Sequence, residues 1–212
     1  KMAYKTQIIK NISNWKDIRK NIASNKTIGL VMTMGNLHQG HISLLDKSIA
    51  QNDINILTIF VNPAQFNNQD DFEKYPNTIE DDIKLATKTG VDFILIFSKD
   101  ELYPDNYTYK LSTNSPISQV MEGEYRPGHF NGMLTIVLKM HCLTLPTKSY
   151  FGEKDYQQYQ LIKDMIEAYL LPTEVISCPI IRAENNLALS SRNNRLSKDE
   201  IIHAAKFSNL LK

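Results

Sequence analysis

The residues best equipped for chemistry form one short run, Thr33-Met34-Gly35-Asn36-Leu37-His38-Gln39-Gly40-His41. It lies between an apolar stretch, Ile28 to Met32, and an amphipathic one, Ile42 to Ile49. That order spells a strand, a glycine-hinged loop and a helix whose first turn carries two imidazoles. A helix N-terminus offers free N–H groups and the positive end of its dipole, both suited to a phosphate. Gly40 has no Cβ, so a ligand can approach the backbone there. His38 and His41, three apart, share one face of a helical turn and would aim two donors at one spot. The same spacing also serves two merely exposed histidines or a metal site, and the motif alone does not choose.

Four further segments carry polar groups in usable combinations. Gly152-Glu153-Lys154-Asp155-Tyr156-Gln157-Gln158 again sets a glycine and charges at a strand-to-helix turn. Lys154 is a mobile point charge suited to phosphate oxygens, and Asp155 reads as the helix N-cap. Gln158 offers a donor and an acceptor to a polar substrate, or is simply solvated. Leu189-Ser190-Ser191-Arg192-Asn193 combines two hydroxyls with a guanidinium, which match phosphate or carboxylate oxygens, or form a polar turn. In Asn62-Pro63-Ala64-Gln65-Phe66, Gln65 either reads a substrate or finishes a turn. Arg126-Pro127-Gly128-His129-Phe130 is a rigid turn that presents Arg126 or acts as scaffold. The chain has no GxxxxGK[ST], no GxGxxG after a strand, no GxSxG and no HExxH, so nucleotide chemistry would depend on the histidine run.

The elements that must position these groups alternate. A first surface helix is expected over Asn14 to Ile22, capped by Ser13 or Asn14. Asn55 to Val61 is a buried parallel strand stopped by Asn62-Pro63, and Thr78 to Thr89 is a helix closed by Gly90. Val91 to Phe97 reads as a strand and Tyr107 to Thr113 as a short edge strand. Met133 to Leu145 is a helix, with Cys142 expected in the core. Ser149 to Phe151 is a strand entering Gly152. The helix Asp155 to Leu171 turns Tyr156, Tyr159, Ile162, Met165, Ile166 and Tyr169 inward, and Thr173 to Ile181 is the last strand. Ser197 to Leu211 ends the chain, with Ser197 and Glu200 as a capping box. This alternation predicts an α/β fold, a Rossmann-like parallel sheet with helices on both faces. The polar segments follow strand ends, where such sheets bind ligands.

Composition limits the choices further. The formal net charge of +1 gives no case for non-specific nucleic-acid or membrane binding, so an anionic partner must be met locally. The two cysteines, Cys142 and Cys178, suggest neither a disulfide framework nor a zinc ribbon, and a reducing cytoplasm is the expected setting. No apolar run is long enough for a membrane-spanning helix, and the residues before the first expected strand do not read as a charged-then-apolar leader.

Taken together, Thr33 to His41, Phe60 to Phe66, Tyr125 to Phe130, Phe151 to Gln158 and Ser190 to Asn193 resemble the pantothenate synthetases, of the HxGH nucleotidyltransferase superfamily. The resemblance implies ATP-dependent ligation of (R)-pantoate to β-alanine through pantoyl adenylate, with AMP and pyrophosphate released. It assigns ATP to Met34, Gly35, Asn36, Leu37, His38, Gln39, Gly40 and His41, with His41 as proton donor. Gly152, Glu153, Lys154, Asp155, Ile181, Leu189, Ser190, Ser191 and Arg192 complete the nucleotide site, and His38, Lys154 and Arg192 join His41 as the catalytic groups. Gln65 and Gln158 would hold pantoate, Gln65 also lying near β-alanine. Magnesium is expected with ATP, its protein ligands unassigned, and a homodimer is expected. Residues 1–180 would form the nucleotide- and pantoate-binding domain, and 181–212 the beginning of a smaller C-terminal lid that stops in its first helix. Asn186 stands where the family usually has glycine; asparagine tolerates the left-handed conformation that a glycine there would adopt. Another HxGH adenylyltransferase, or a nucleotide-binding module without activity, is the competing reading.

Overall fold

The computed structural model describes residues 6–210. Six strands, β1 (Gln7–Ile9), β2 (Ile28–Thr33), β3 (Ile54–Ile59), β4 (Phe93–Leu95), β5 (Lys148–Gly152) and β6 (Glu174–Cys178), form one sheet. Its order is β1-β4-β3-β2-β5-β6, and every pair is parallel. The helices are α1 (Ile12–Lys20), α2 (Gln39–Gln51), α3 (Gln69–Glu73), α4 (Ile79–Thr89), α5 (Lys99–Leu102), α6 (Glu122–Tyr125), α7 (His129–Thr144), α8 (Tyr156–Ala168) and α9 (Lys198–Leu210).

Alternation along the central strands builds two cores. Leu30, Ile56, Leu95 and Phe151 face one side, where Trp15 of α1, Met133 and Met140 of α7, and Ile162 and Ile166 of α8 cover them. Val31, Leu57, Ile94 and Tyr150 face the other side, against Leu44 and Leu45 of α2 and Ala86 of α4. Strands buried on both faces need continuous apolar runs, which explains why β2 and β3 carry so little polarity. The strand order reverses between β2 and β5. The chain therefore leaves these two neighbours in opposite lateral directions, opening a crevice at their carboxyl ends.

Several boundaries differ from expectation. The first helix begins earlier, because Asn11, not Ser13 or Asn14, accepts the Asn14 N–H as its cap. The strand after Gly90 is only Phe93–Leu95, and the edge beyond it is taken by β1, too short to stand out in the sequence. Tyr107 to Thr113 is not a strand. Its alternate N–H groups are already satisfied, Tyr109 on Asp105, Leu111 on Thr135 and Thr113 on Asn131, the last two being side chains of α7. The Met133 helix starts four residues earlier, at His129, and leaves Cys142 exposed on its outer face. Tyr156 and Tyr169 are exposed too, while Leu161, Ile162, Met165 and Ile166 form the buried stripe of α8. Asn186 adopts φ +69, the conformation that glycine would supply. The Ser197–Glu200 capping box forms as expected, each residue's N–H bonded to the other's side chain; Leu211, like Lys1 and Met2, lies outside the described residues.

One glycine sets how closely α7 approaches the crevice. A Cβ on Gly132 would lie 2.0 Å from the Ala64 carbonyl oxygen, in the turn Pro63–Gln65 that carries Gln65. That contact is backbone to backbone and cannot relax by a rotamer change. Gly132→Ala is therefore expected to destabilise the fold by about 1–3 kcal/mol despite alanine's better helix propensity. Thermal unfolding at neutral pH checks this, and a melting temperature at or above the parent's would contradict it.

Candidate active site

The crevice at the β2/β5 switch point holds a cavity of about 240 Å³. His38, Gly40 and His41 line it from the N-cap and first turn of α2, and Lys154, Asp155 and Gln158 from the turn after β5 and the start of α8. Ile181, Leu189, Ser190, Ser191 and Arg192 close it from beyond β6, and Met34, Gln65 and Gly152 complete the expected set. Its back wall is apolar, built by Phe60 and by Met133, Ile136, Val137 and Met140 of α7. Five residues assigned to the nucleotide by resemblance, Gly35, Asn36, Leu37, Gln39 and Glu153, are not on the cavity wall. Of these, Asn36 and Leu37 turn their N–H groups to a buried carboxylate, Asp82, and Gln39 is exposed.

The helix N-terminus works differently from the sequence expectation. Its backbone N–H groups are not bare. His38 is the N-cap of α2, and its Nδ1 accepts the Gly40 N–H at 3.1 Å; His41 Nδ1 accepts the His38 N–H at 3.2 Å. The His41 N–H turns back on the His38 carbonyl. The two rings stack with centroids 4.0 Å apart. Since a backbone N–H can only donate, each Nδ1 is an acceptor, and in the neutral ring the proton must sit on Nε2. The imidazoles thus replace backbone donors with two side-chain Nε2–H donors.

Electrostatics keep these rings neutral. Burial, then the coupling to the neighbouring His38 imidazole, then Lys154 push His41 down to about 3, and burial followed by Lys154 lowers His38 as well. At neutral pH His41 is a hydrogen-bond donor that carries no charge.

The cations sit in prearranged ion pairs. Lys154 Nζ lies 2.8 Å from the Asp155 carboxylate, so Asp155 holds the lysine instead of capping α8 with its side chain. Arg192 lies 3.1 Å from Asp71, which also takes Arg195 at 2.6 Å. Ser191 and Asn36 are bonded reciprocally, side chain to carbonyl, at 3.1 and 3.0 Å, tying the serine loop to the histidine loop. Gln65 is fixed by Asn62 Nδ2 at 3.0 Å and donates to the Met34 sulfur. Asn62 is itself buried, accepting from Tyr103 and donating to the Gly132 carbonyl. Of the adjacent glutamines, Gln157 is buried and bonded to the Ile117 and Val120 carbonyls, leaving Gln158 to the cavity. Arg126 pairs with Glu122 and reaches the Gln65 carbonyl, which is the scaffold alternative.

Sequence reasoning missed Asp82 and the holding role of Asn62. Asp82 had a signal: helical spacing places this acid beside Ile79, Ile83 and Ala86 on the buried face of α4. Asn62 had none, because Asn62-Pro63 already reads as a strand terminator.

A family model for pantoate-beta-alanine ligase matches residues 7–212. The chain belongs to that family. A pantothenate synthetase of Coxiella burnetii is 50% identical over 205 residues, 97% of this chain and 79% of that protein. A Legionella pneumophila pantothenate synthetase is 45% identical over 204 residues, 96% and 81% of the two chains. Among solved structures, the pantoate-beta-alanine ligase of Francisella tularensis, complexed with beta-gamma ATP and beta-alanine, superposes with a TM-score of 0.95 at 42% identity, covering 97% of this chain and 79% of that one. A pantothenate synthetase from Thermus thermophilus gives 0.90 at 33% identity, covering 96% and 72%. The family's members are ATP-dependent ligases that join pantoate to β-alanine, and this chain is an enzyme of that class. No helix among the described residues is long and apolar enough to cross a membrane.

The buried neutral histidines make stability depend on pH. Unfolded, His41 titrates near 6.5; folded, near 3. Between those values the unfolded chain binds the extra proton, so stability is full above pH 6.5 and declines as pH falls below it. At pH 5 that one group is expected to remove about 2 kcal/mol, and His129 and His141, also lowered by burial, add in the same direction. Denaturant unfolding at pH 7.5 and pH 5 measures the difference; equal stabilities would refute the neutral assignment.

Proposed function

We propose that this crevice carries out both half-reactions of pantothenate synthesis. The pantoate carboxylate attacks the α-phosphorus of ATP, pyrophosphate leaves, and the β-alanine amine then attacks the carbonyl of the mixed anhydride, releasing AMP. Neither step needs a protein nucleophile. Catalysis reduces to positioning, and to stabilising negative charge on the phosphates in a crevice with an apolar back wall. The observation that carries the reading is the convergence of His38, His41, Lys154, Ser190, Ser191 and Arg192 on one cavity at the switch point.

In this reading the Nε2–H groups of His38 and His41 donate to phosphate oxygens, and the neutral state of His41 makes it a donor of a hydrogen bond, not of a proton. Lys154 and Arg192 leave Asp155 and Asp71 for the phosphates, exchanging one carboxylate partner for a more highly charged anion. Ser190 and Ser191 add hydroxyls, and Gly152 and Ile181 border the nucleotide. Gln65 and Gln158 orient pantoate, with Gln65 also beside the β-alanine position, and the apolar wall of α7 excludes water from the anhydride. Magnesium accompanies ATP in this proposal. Among the described residues no three His, Cys, Asp or Glu side chains converge to cage a metal, so no step is assigned to it.

We further propose that residues 1–180 form the nucleotide- and pantoate-binding unit and that 181–212 begin a lid. In support, the sheet ends at Cys178, and α9 buries only Ala205. A cytoplasmic homodimer is proposed from the resemblance, and the free thiols of Cys142 and Cys178 suit a reducing compartment. Light scattering that finds only monomer at micromolar concentration would reject the dimer.

The deciding experiment is pyrophosphate release from ATP with pantoate, with and without β-alanine. Release that requires pantoate, rises with β-alanine and yields pantothenate supports the reading; ATP binding without turnover would leave a nucleotide-binding module. Lys154→Ala and His41→Ala are each expected to slow adenylate formation by far more than tenfold. Loss of one preorganised donor typically costs about 2.7–4 kcal/mol. Single-turnover assays that show losses under tenfold would remove that residue from the mechanism.

A further inference from the structure

Among the described residues, Asp82 is the one carboxylate buried against the histidine loop. It lies on the inner face of α4 and is 3% exposed. Its Oδ2 accepts the Asn36 N–H at 2.9 Å and the Thr78 hydroxyl at 3.0 Å, and its Oδ1 accepts the Leu37 N–H at 2.7 Å. Gly35 and Asn36 both have positive φ, +85 and +51, which turns the next two N–H groups to one side. Successive backbone N–H groups of this kind make a concavity for an anion. Here the concavity is filled by the protein's own carboxylate, so the substrate's phosphates are directed one step along the chain, to the histidines.

We propose that Asp82 is the positioning residue of the site: by clamping the amides of residues 36 and 37 it fixes where His38 caps α2 and hence where both imidazoles donate. It does not line the cavity and acts only through the loop. Leu37 directly precedes the cap residue. Asn36 carries the clamp onward, because its side chain and carbonyl are bonded to Ser191. One carboxylate therefore sets two of the segments that meet the phosphates. The close fit is visible at Gly35, where a Cβ would lie 2.9 Å from Asp82 Oδ2. Asparagine has the same shape but cannot do the same work, since its NH₂ would face one of the two N–H groups donor to donor.

The inference rests on the reading of His38 and His41 as phosphate donors, and its test separates the two. Asp82→Asn and Thr78→Val would be compared with the parent chain at a temperature where circular dichroism shows all three folded. Nitrogen-15 NMR of the imidazoles should show the Nε2–H tautomer at His38 and His41 in the parent and a tautomer mixture at His38 in Asp82→Asn. kcat/KM for ATP should fall at least tenfold in Asp82→Asn while KM for pantoate changes less than twofold. Thr78→Val, which removes only the hydroxyl, should lose less than threefold. Parent-like ring signals in Asp82→Asn would overturn the proposal, as would equal losses for both substrates. A parent chain that makes no pantothenate would defeat the functional reading, while the ring signals would still decide the role of Asp82.

Discussion

The structure depends on the way a helix N-terminus is capped by its own histidines. Every α-helix begins with N–H groups that lack intrahelical partners, and in most proteins a serine or aspartate oxygen satisfies them. Here two imidazole nitrogens do so, at His38 and His41. An oxygen cap would end the matter there. An imidazole has a second nitrogen, and satisfying the backbone with Nδ1 obliges the neutral ring to carry its proton on Nε2. The helix end is thereby extended outward into two directional donors, held by bonds to the element they cap. Neutrality is part of the same device. A charged ring would need a proton on Nδ1, which would break the capping bond, so burial and the Lys154 charge, by opposing ionisation, also protect the cap.

That cap is useful only where the sheet brings it. The order β4-β3-β2-β5-β6 puts the histidine loop and the Lys154 turn on adjacent strands whose connections diverge. Chain order then supplies one segment from each side and a third from beyond β6. The apolar back wall comes from α7, held close through Gly132. Fold and site are coupled by the same few contacts, Asp82 to the loop amides, Asn62 to Gln65, and Ser191 to Asn36.

The alternation of strands and helices, the sheet's parallel character and the site's main residues were legible in the sequence, because each has a local signature. Apolar runs mark β2 and β3, Gly90 ends α4, and Ser197 with Glu200 starts α9. What was not legible depended on partners distant in sequence. Tyr107 to Thr113 has the composition of a strand but gives its N–H groups to side chains, those of Asp105 and of Thr135 and Asn131 in α7. Cys142 sits in an apolar run, yet a helix buried on most sides still has an outer face. Asp155 takes the N-cap position of α8, but its side chain pairs with its neighbour Lys154 and makes no capping bond. The direction of the histidine N–H groups could not be read at all, because spacing alone does not say which ring nitrogen turns inward.

The ion pairs at rest clarify how such a site handles a highly charged substrate. Lys154 and Arg192 without counter-ions would repel each other and would add to the cost of protonating a nearby imidazole. Pairing them with Asp155 and Asp71 reduces that penalty, and both pairs are at least partly exposed and therefore weak. A triphosphate offers more charge and better geometry than a single carboxylate, so the exchange runs toward substrate. Asp82 differs from these two acids in the respect that matters. It is buried and bonded through both oxygens to backbone and hydroxyl donors, with no cation to exchange. The same side-chain chemistry thus serves two ends, set by burial: exposed carboxylates hold the mobile cations until phosphate replaces them, and the buried one keeps the loop that receives the phosphate from moving.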